Sequence, residues 1–337
     1  MSGAVILEDG LVSFFNPELN AWVFKNWRCT SCPQDCRCMR VASFVETVLL
    51  TWNHESFIRE SILSCLKQNL SSKSSVLVHD DASSDKTTYE AISLMRSAKI
   101  PMTLLSRVEN QFKIANFSFV AYLFTASRAK YVALLDGDDY WTNRSKLRVM
   151  TSALEKFPRS NLAYHDFYVP LRKLPFISIR NPGPQGLEQG SLKSVLSDNP
   201  IGALTSVFRP SVLPVEMPKG FEKLPIGDLP IWALLVKDEP AVYVKKCMGV
   251  YRLHRQNYFG NLKPLKMELA HKQALDYVQN NIEVINPRPV FRSRTGGFLR
   301  KLLKLRFTPL IWLNVSAPGL GRLVRAIIQG DFRRHRA

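Results

Sequence analysis

Tyr131-Val132-Ala133-Leu134-Leu135-Asp136-Gly137-Asp138-Asp139-Tyr140-Trp141 is the stretch on which the fold turns. Its first five residues are aromatic, β-branched or apolar without interruption, as expected of a strand buried on both faces. Three carboxylates then fall within four residues, with one glycine among them. Carboxylates so crowded repel one another unless a cation sits among them. Hard divalent ions such as Mg²⁺ or Mn²⁺ take oxygen ligands and complete their shell with substrate phosphates. An acidic, glycine-containing surface turn has the same composition, so the flanking segments must decide between the two.

Upstream, Ser43 to Thr51 is a short β-branched and apolar run, and Trp52-Asn53-His54-Glu55 follows as a turn. Phe57, Ile58, Ile62, Leu63 and Leu66 recur at helical spacing. A second strand, Ser75 to His79, ends in Asp80-Asp81-Ala82-Ser83-Ser84-Asp85. Next come a helix carrying Tyr89, Ile92, Leu94 and Met95, a strand from Met102 to Leu105, and a helix around Phe117 to Ala126. This βαβαβαβ alternation predicts a mostly parallel sheet with helices on both faces. Acidic and polar residues collect just past the carboxyl ends of the strands, the edge at which open α/β sheets bind ligands. There Asp81 can accept a hydrogen bond from a base N–H or a ribose hydroxyl. Asp85 reads instead as a cap for the next helix.

The 337 residues are 46% hydrophobic and 22% charged, an ordinary globular composition that excludes wholesale disorder. Three regions separate: a Cys-rich segment over 1–40, an α/β region over 41–262, and a helical, basic extension over 263–337. The formal net charge of +18 calls for an anionic partner. Most of the excess lies from Arg288 onward, where twelve arginines and lysines face the single acid Asp331. Phe298, Leu299, Leu302, Leu303 and Leu305 share one helical face opposite Arg300, Lys301 and Lys304. Leu320, Leu323, Val324, Ile327 and Ile328 repeat the pattern against Arg322 and Arg325, with Trp312 between. Cationic amphipathic helices of this kind lie in membrane interfaces. The tail is therefore expected on an anionic membrane surface; packing onto the α/β region is the alternative, and no nucleic-acid partner is expected.

Met1 to Gly10 lacks the basic and apolar regions of a signal peptide. The apolar run Thr308 to Leu320 is short and broken by Pro309 and Pro318. The expected location is thus the cytoplasm, peripheral on the cytoplasmic face of the membrane, with reduced cysteines. Cys29, Cys32, Cys36 and Cys38 are dense enough for a structural Zn²⁺, with free thiols and disulfides as the alternatives. Cys65 and Cys247 read as core.

Thr51-Trp52-Asn53-His54-Glu55, Asp80-Asp81-Ala82-Ser83-Ser84-Asp85 and Leu134 to Trp141, in that order, resemble the family-2 glycosyltransferases of GT-A fold. Glu109 to Phe117, Gly227-Asp228-Leu229-Pro230-Ile231-Trp232 and Tyr251-Arg252-Leu253-His254 are similar to later segments of that family. The resemblance implies a Rossmann-like GT-A core and an inverting, metal-dependent transfer from a nucleoside-diphosphate sugar, a UDP-sugar being favoured. The acceptor would be a hydroxyl of a glycan or lipid-linked precursor, in cell-envelope polysaccharide synthesis. Thr51, Trp52 (where the family more often has Tyr), Asn53, Asp81, Asn110, Lys113, Asp136 and Arg252 would line the donor site. Asp138 and Asp139, with His254 at the metal or the diphosphate, would hold Mn²⁺ or Mg²⁺, which of Asp136, Asp138 and Asp139 ligates being left open by the tripled acid, and Asp228 would be the general base. Removing a proton from a poorly nucleophilic sugar hydroxyl is general-base chemistry, although Gly227 and Pro230 around Asp228 also suit a helix start. Trp232 would offer a sugar a stacking platform. The competing readings are a non-catalytic sugar- or nucleic-acid-binding scaffold and a nucleotidyltransferase; the latter should carry a Gly/Arg/Lys-rich phosphate loop near its first strand, where this sequence has none.

Overall fold

A computed structural model describes residues 5–6, 11–27, 42–70, 73–111, 118–171, 174–179, 186–254 and 264–282. Cys29, Cys32, Cys36, Cys38, Lys113 and the basic tail, with the expectations placed on them, lie outside the described residues. The strands are β1 (Val5–Ile6), β2 (Val12–Asn16), β3 (Ala21–Lys25), β4 (Val45–Thr51), β5 (Ser74–Asp80), β6 (Met102–Arg107), β7 (Tyr131–Asp136), β8 (Tyr140–Trp141), β9 (Leu162–Leu171), β10 (Leu174–Ile179), β11 (Gly186–Gly190), β12 (Val207–Phe208) and β13 (Ala241–Val250). The helices are α1 (Ile58–Leu66), α2 (Thr87–Ser97), α3 (Ser118–Thr125), α4 (Lys146–Lys156), α5 (Leu192–Asp198), α6 (Asp228–Val236) and α7 (Pro264–Asn281).

All the strands share one sheet in the order β1-β2-β3-β6-β5-β4-β7-β12-β9-β13-β11, with β10 beside β9 and β8 beside β13. β4, β5, β6 and β7 are parallel, and so is the pair β9–β13. The expected mostly parallel sheet needs correction at its flanks. β3 runs antiparallel to β6, Ala21 opposite Arg107, and β12 runs antiparallel to both β7 and β9. The cause on the first side is a hairpin the sequence reading left in the Cys-rich segment. Its second strand, β3, alternates in burial, and Asn20 takes the left-handed conformation (φ 48°) its turn requires. The hairpin thus belongs to the sheet.

Every residue of β5 is buried. Along the central strands side chains alternate between two cores, as the period of two demands. Val48 and Leu77 lie in one with Phe124, Leu229 and Trp232. Leu49, Val76 and Val78 lie in the other with Ile58, Ile62, Leu94 and Met150. Helices α1, α2 and α4 therefore cover one face, and α3, α6 and α7 the other. Helix α7, expected within a separate extension, sets Val278 against Ala233 of α6, and Ile282 just beyond it joins the same cluster. Among the described residues no helix is long and apolar enough to cross a membrane.

Candidate active site

In-register pairing brings three strand ends together. Thr51 lies opposite Asp80, and Leu50 opposite Asp136. Two loops leaving this edge are laced to each other. Asp81 N–H donates to Thr51 O at 2.9 Å, Asn53 N–H to Ser83 Oγ at 2.8 Å, and Ser84 N–H to Asn53 Oδ1 at 2.8 Å. Asp85 accepts from Glu55 N–H and Thr87 N–H at the head of α2, as expected of a cap. Asn53 (φ 52°) and Ala82 (φ 61°) take left-handed backbone within these turns.

Asp80 is buried inside the structure and accepts from Ser83, Thr88 and Ser106. Burial pushes its carboxyl up, against those hydrogen bonds. Asp81, one residue on, accepts from Gln111 N–H at 2.8 Å and lies in the field of Arg107. Asn110 donates its side-chain amide to Asp81 O at 2.8 Å. Asn53 and Asn110, both expected at the donor, thus spend these groups on holding the loops that frame it.

The acidic turn is gripped from beneath by α1. Ser61 Oγ–H points at the carbonyls of Gly137, 2.8 Å away, and Asp139. Gly137 N–H donates to Leu50 O at 2.7 Å. A Cβ at Gly137 would stand 2.5 Å from Thr51 Oγ1 and 2.9 Å from His54 Nδ1, so only glycine lets the turn lie this close.

The three carboxylates are not equivalent. Burial, then the charges of Asp138 and Asp228, push Asp136 up to about 8. Burial, then Asp138 and Asp136, push Asp139 well above the carboxylate range. Burial also presses Asp138 upward, but the hydrogen bond from His254 and the fields of His54 and His254 outweigh it and hold its carboxyl below the ordinary value. His254 Nε2 lies 2.8 Å from Asp138 Oδ2. Burial lowers His54, against the pull of Asp138.

Two of the expected ligands are therefore distinguished from the third. Asp138 and His254 meet at one point, offering an oxygen and a nitrogen donor. Asp139 is 0% exposed, accepts from Arg252 N–H at 2.9 Å, and has no hydrogen bond at Oδ2 among the described residues; it supports the turn from inside. Among the described residues no three His, Cys, Asp or Glu side chains form a ready metal-binding group. An ion held by one carboxylate and one imidazole, with phosphate oxygens and water completing its shell, fits this donor set.

Arg252, expected at the donor, holds the acidic turn. Its guanidinium donates to Asp138 O at 2.6 Å, pairs with Glu60, and stacks on Tyr140 at 4.3 Å. It clamps the acidic turn against α1. Trp232 needs the plainest correction: it is 0% exposed and packs edge-on against Phe208 at 6.0 Å, so no sugar stacks on it. Trp52 stays 38% exposed beside Thr51. Asp228 opens α6, accepts from Leu229 N–H at 2.7 Å, and its charge acts on Asp136. His54, Glu60 and Ser61 were missed as site residues. Their only signal in the sequence is that they follow the same strand end as Thr51.

Residues 47–181 match the family model described as glycosyl transferase family 2. The uncharacterized protein Rv1520 of Mycobacterium tuberculosis is 28% identical over 216 residues, covering 61% of this chain. The chain spans 58% of the length of that curated relative. Residues 1–349 of S. aureus TarS share the fold at 16% identity and a TM-score of 0.52, over 84% of this chain and 78% of that one. The mannosyltransferase PcManGT of Pyrobaculum calidifontis, in complex with GDP-Man and Mn2+, does so at 14% identity and a TM-score of 0.52, over 88% and 83%.

Proposed function

Taking residues 47–181 as a glycosyl transferase family 2 domain, we propose that this chain is an inverting, divalent-cation-dependent glycosyltransferase that moves a sugar from a nucleoside diphosphate to a hydroxyl. The observation that carries the reading is one carboxylate edge, where Asp136 ends β7 opposite Leu50, Asp138 Oδ2 lies 2.8 Å from His254 Nε2, and the charge of Asp228 acts on Asp136. Two segments 92 positions apart put a carboxylate at a helix start within the field of Asp136. A scaffold that only binds has no use for that arrangement.

In this reading Asp81, fixed by Gln111 and Asn110, accepts hydrogen bonds from the nucleobase, with Thr51 and the exposed ring of Trp52 beside it. Asp136 meets the ribose. Asp138 and His254 would hold Mn²⁺ or Mg²⁺, which supplies charge neutralisation for the departing diphosphate. Asp228 takes the proton from the acceptor hydroxyl as its oxygen attacks C1 from the face opposite the nucleotide, which inverts that carbon. Of the fold relatives, TarS is in complex with UDP-GlcNAc and PcManGT with GDP-Man and Mn2+, which supports a nucleotide-sugar donor. We assign the acceptor to a glycan or lipid-linked precursor at the cytoplasmic membrane face, reached through the basic tail.

Asp228→Asn keeps the shape but cannot take a proton. Transfer is expected to fall by roughly 10²–10⁴-fold, with nucleotide affinity unchanged by calorimetry. A collapse of nucleotide affinity instead would move Asp228 to the donor site. Chelation should abolish turnover and Mn²⁺ restore it.

A further inference from the structure

Asp138 is approached by two imidazoles, and the chemistry above uses only one. His254 Nε2 lies 2.8 Å from Asp138 Oδ2, and His54 Nε2 lies 3.8 Å from the same oxygen. The two rings stand edge to face, centroids 6.1 Å apart, with Phe57 against His254 at 4.4 Å. On its far side His54 Nδ1 meets Thr51 Oγ1 at 3.2 Å. Its backbone N–H is tied to Thr87 Oγ1 at 2.8 Å. The ring is thus held at both ends, between the last residue of β4 and the carboxylate of the acidic turn, in space that Gly137 leaves open.

We propose that His54 is a positioning residue for Asp138, holding the carboxylate so that Oδ2 faces His254 Nε2 and thereby setting the cation affinity of the site. The proposal rests on reading Asp138 and His254 as the cation-holding pair. At 3.8 Å, His54 is too far for a direct hydrogen bond, and it does not complete a three-ligand group. It works as a polar wall. A carboxylate on a turn can rotate about its side-chain bonds, and a neighbour that removes that freedom lowers the ordering cost of binding an ion. Outer-shell partners of this kind are worth roughly 10–100-fold in metal affinity. Because the wall is anchored on Thr51, the strand end assigned to the nucleobase and the carboxylate assigned to the cation share one side chain.

The test is Mn²⁺ binding to the full chain, followed by loss of the free-ion paramagnetic resonance signal, alone and with UDP or GDP. Wild type should bind. His54→Ala and His54→Asn, both too short to reach Asp138, should bind roughly 10–100-fold more weakly. His54→Gln, whose amide has nearly the reach of the imidazole, should recover part of the loss. If His54→Ala or His54→Asn binds Mn²⁺ as tightly as wild type, the proposal is wrong. It is equally wrong if His54→Gln is as poor as the short variants while melting at the wild-type temperature. Wild type that takes up no Mn²⁺, even with nucleotide, would overturn the cation-holding pair itself and this proposal with it.

Discussion

Lys146 shows how far burial can override a side chain's usual state. It is 0% exposed, its Nζ has no hydrogen-bond partner among the described residues, and it lies 3.6 Å from the centroid of Trp141. Burial drives its amine well below the ordinary value of 10.5, with only Cys65 pulling the other way. The unfolded chain therefore holds a proton there that the folded chain lacks, between the depressed folded value and 10.5. Stability from this group rises with pH across that window. Lys146→Met is expected to raise the melting temperature at pH 7, with the gain narrowing as pH approaches 10. A lower melting temperature at pH 7 would mean the ammonium stays charged over Trp141 and stabilises the fold as a cation–π pair. The acidic turn follows the same logic with opposite sign. Asp136 and Asp139 are raised, so without a cation they oppose folding as pH climbs above the carboxylate range.

Helix α6 makes the same point at the scale of an element. Leu229, Ile231, Trp232, Ala233, Leu235 and Val236 are all buried, so the helix is apolar around its circumference and sits inside the molecule. Its one acidic residue, Asp228, stands at its first position, where its charge acts on Asp136. The element is thus a rigid post whose apolar body fixes the position of a single carboxylate. Trp232→Ala should cost about 3–5 kcal/mol of stability, measured by denaturant unfolding. Trp232→Phe should cost less, and neither should change the acceptor KM of the folded enzyme. An acceptor KM raised in Trp232→Phe at unchanged stability would restore the stacking role that its burial now denies it.

For the whole molecule, the positive charge is unevenly placed along the chain. Ile282 still packs with Ala233 and Val278, while the concentrated positive charge begins at Arg288. Truncation after Pro287 should therefore leave the packed body intact. It is expected to move the protein from sedimented membranes to the supernatant with donor hydrolysis retained. Each Lys or Arg near an anionic leaflet contributes about 1 kcal/mol, and screening shortens its reach. High salt should then weaken vesicle binding of the full chain without abolishing it. A truncated chain that still sediments with membranes, or aggregates, would make the tail part of the packed body.

The parallel centre and the acidic edge were legible in the order of residues alone. β4, β5, β6 and β7 are short apolar runs separated by helices, and that alternation marks them. Asp136 ends β7, and Asp81 and Asp138 lie within two residues of strand ends, which makes their shared edge legible from topology. What the sequence could not determine was which side chains face that edge. The docking of the 12–25 hairpin on β6 is a contact between distant segments that no local pattern encodes. Trp232 was misread because an aromatic ring serves a ligand or the fold equally well, and only burial tells which. Asp139 and His54 differ from Asp138 and His254 by where the chain turns them, within a few ångströms. That choice belongs to the tertiary structure, because it is made by Ser61, Arg252 and the missing Cβ of Gly137, which reach the turn from elsewhere in the chain or from within it only once the fold has closed.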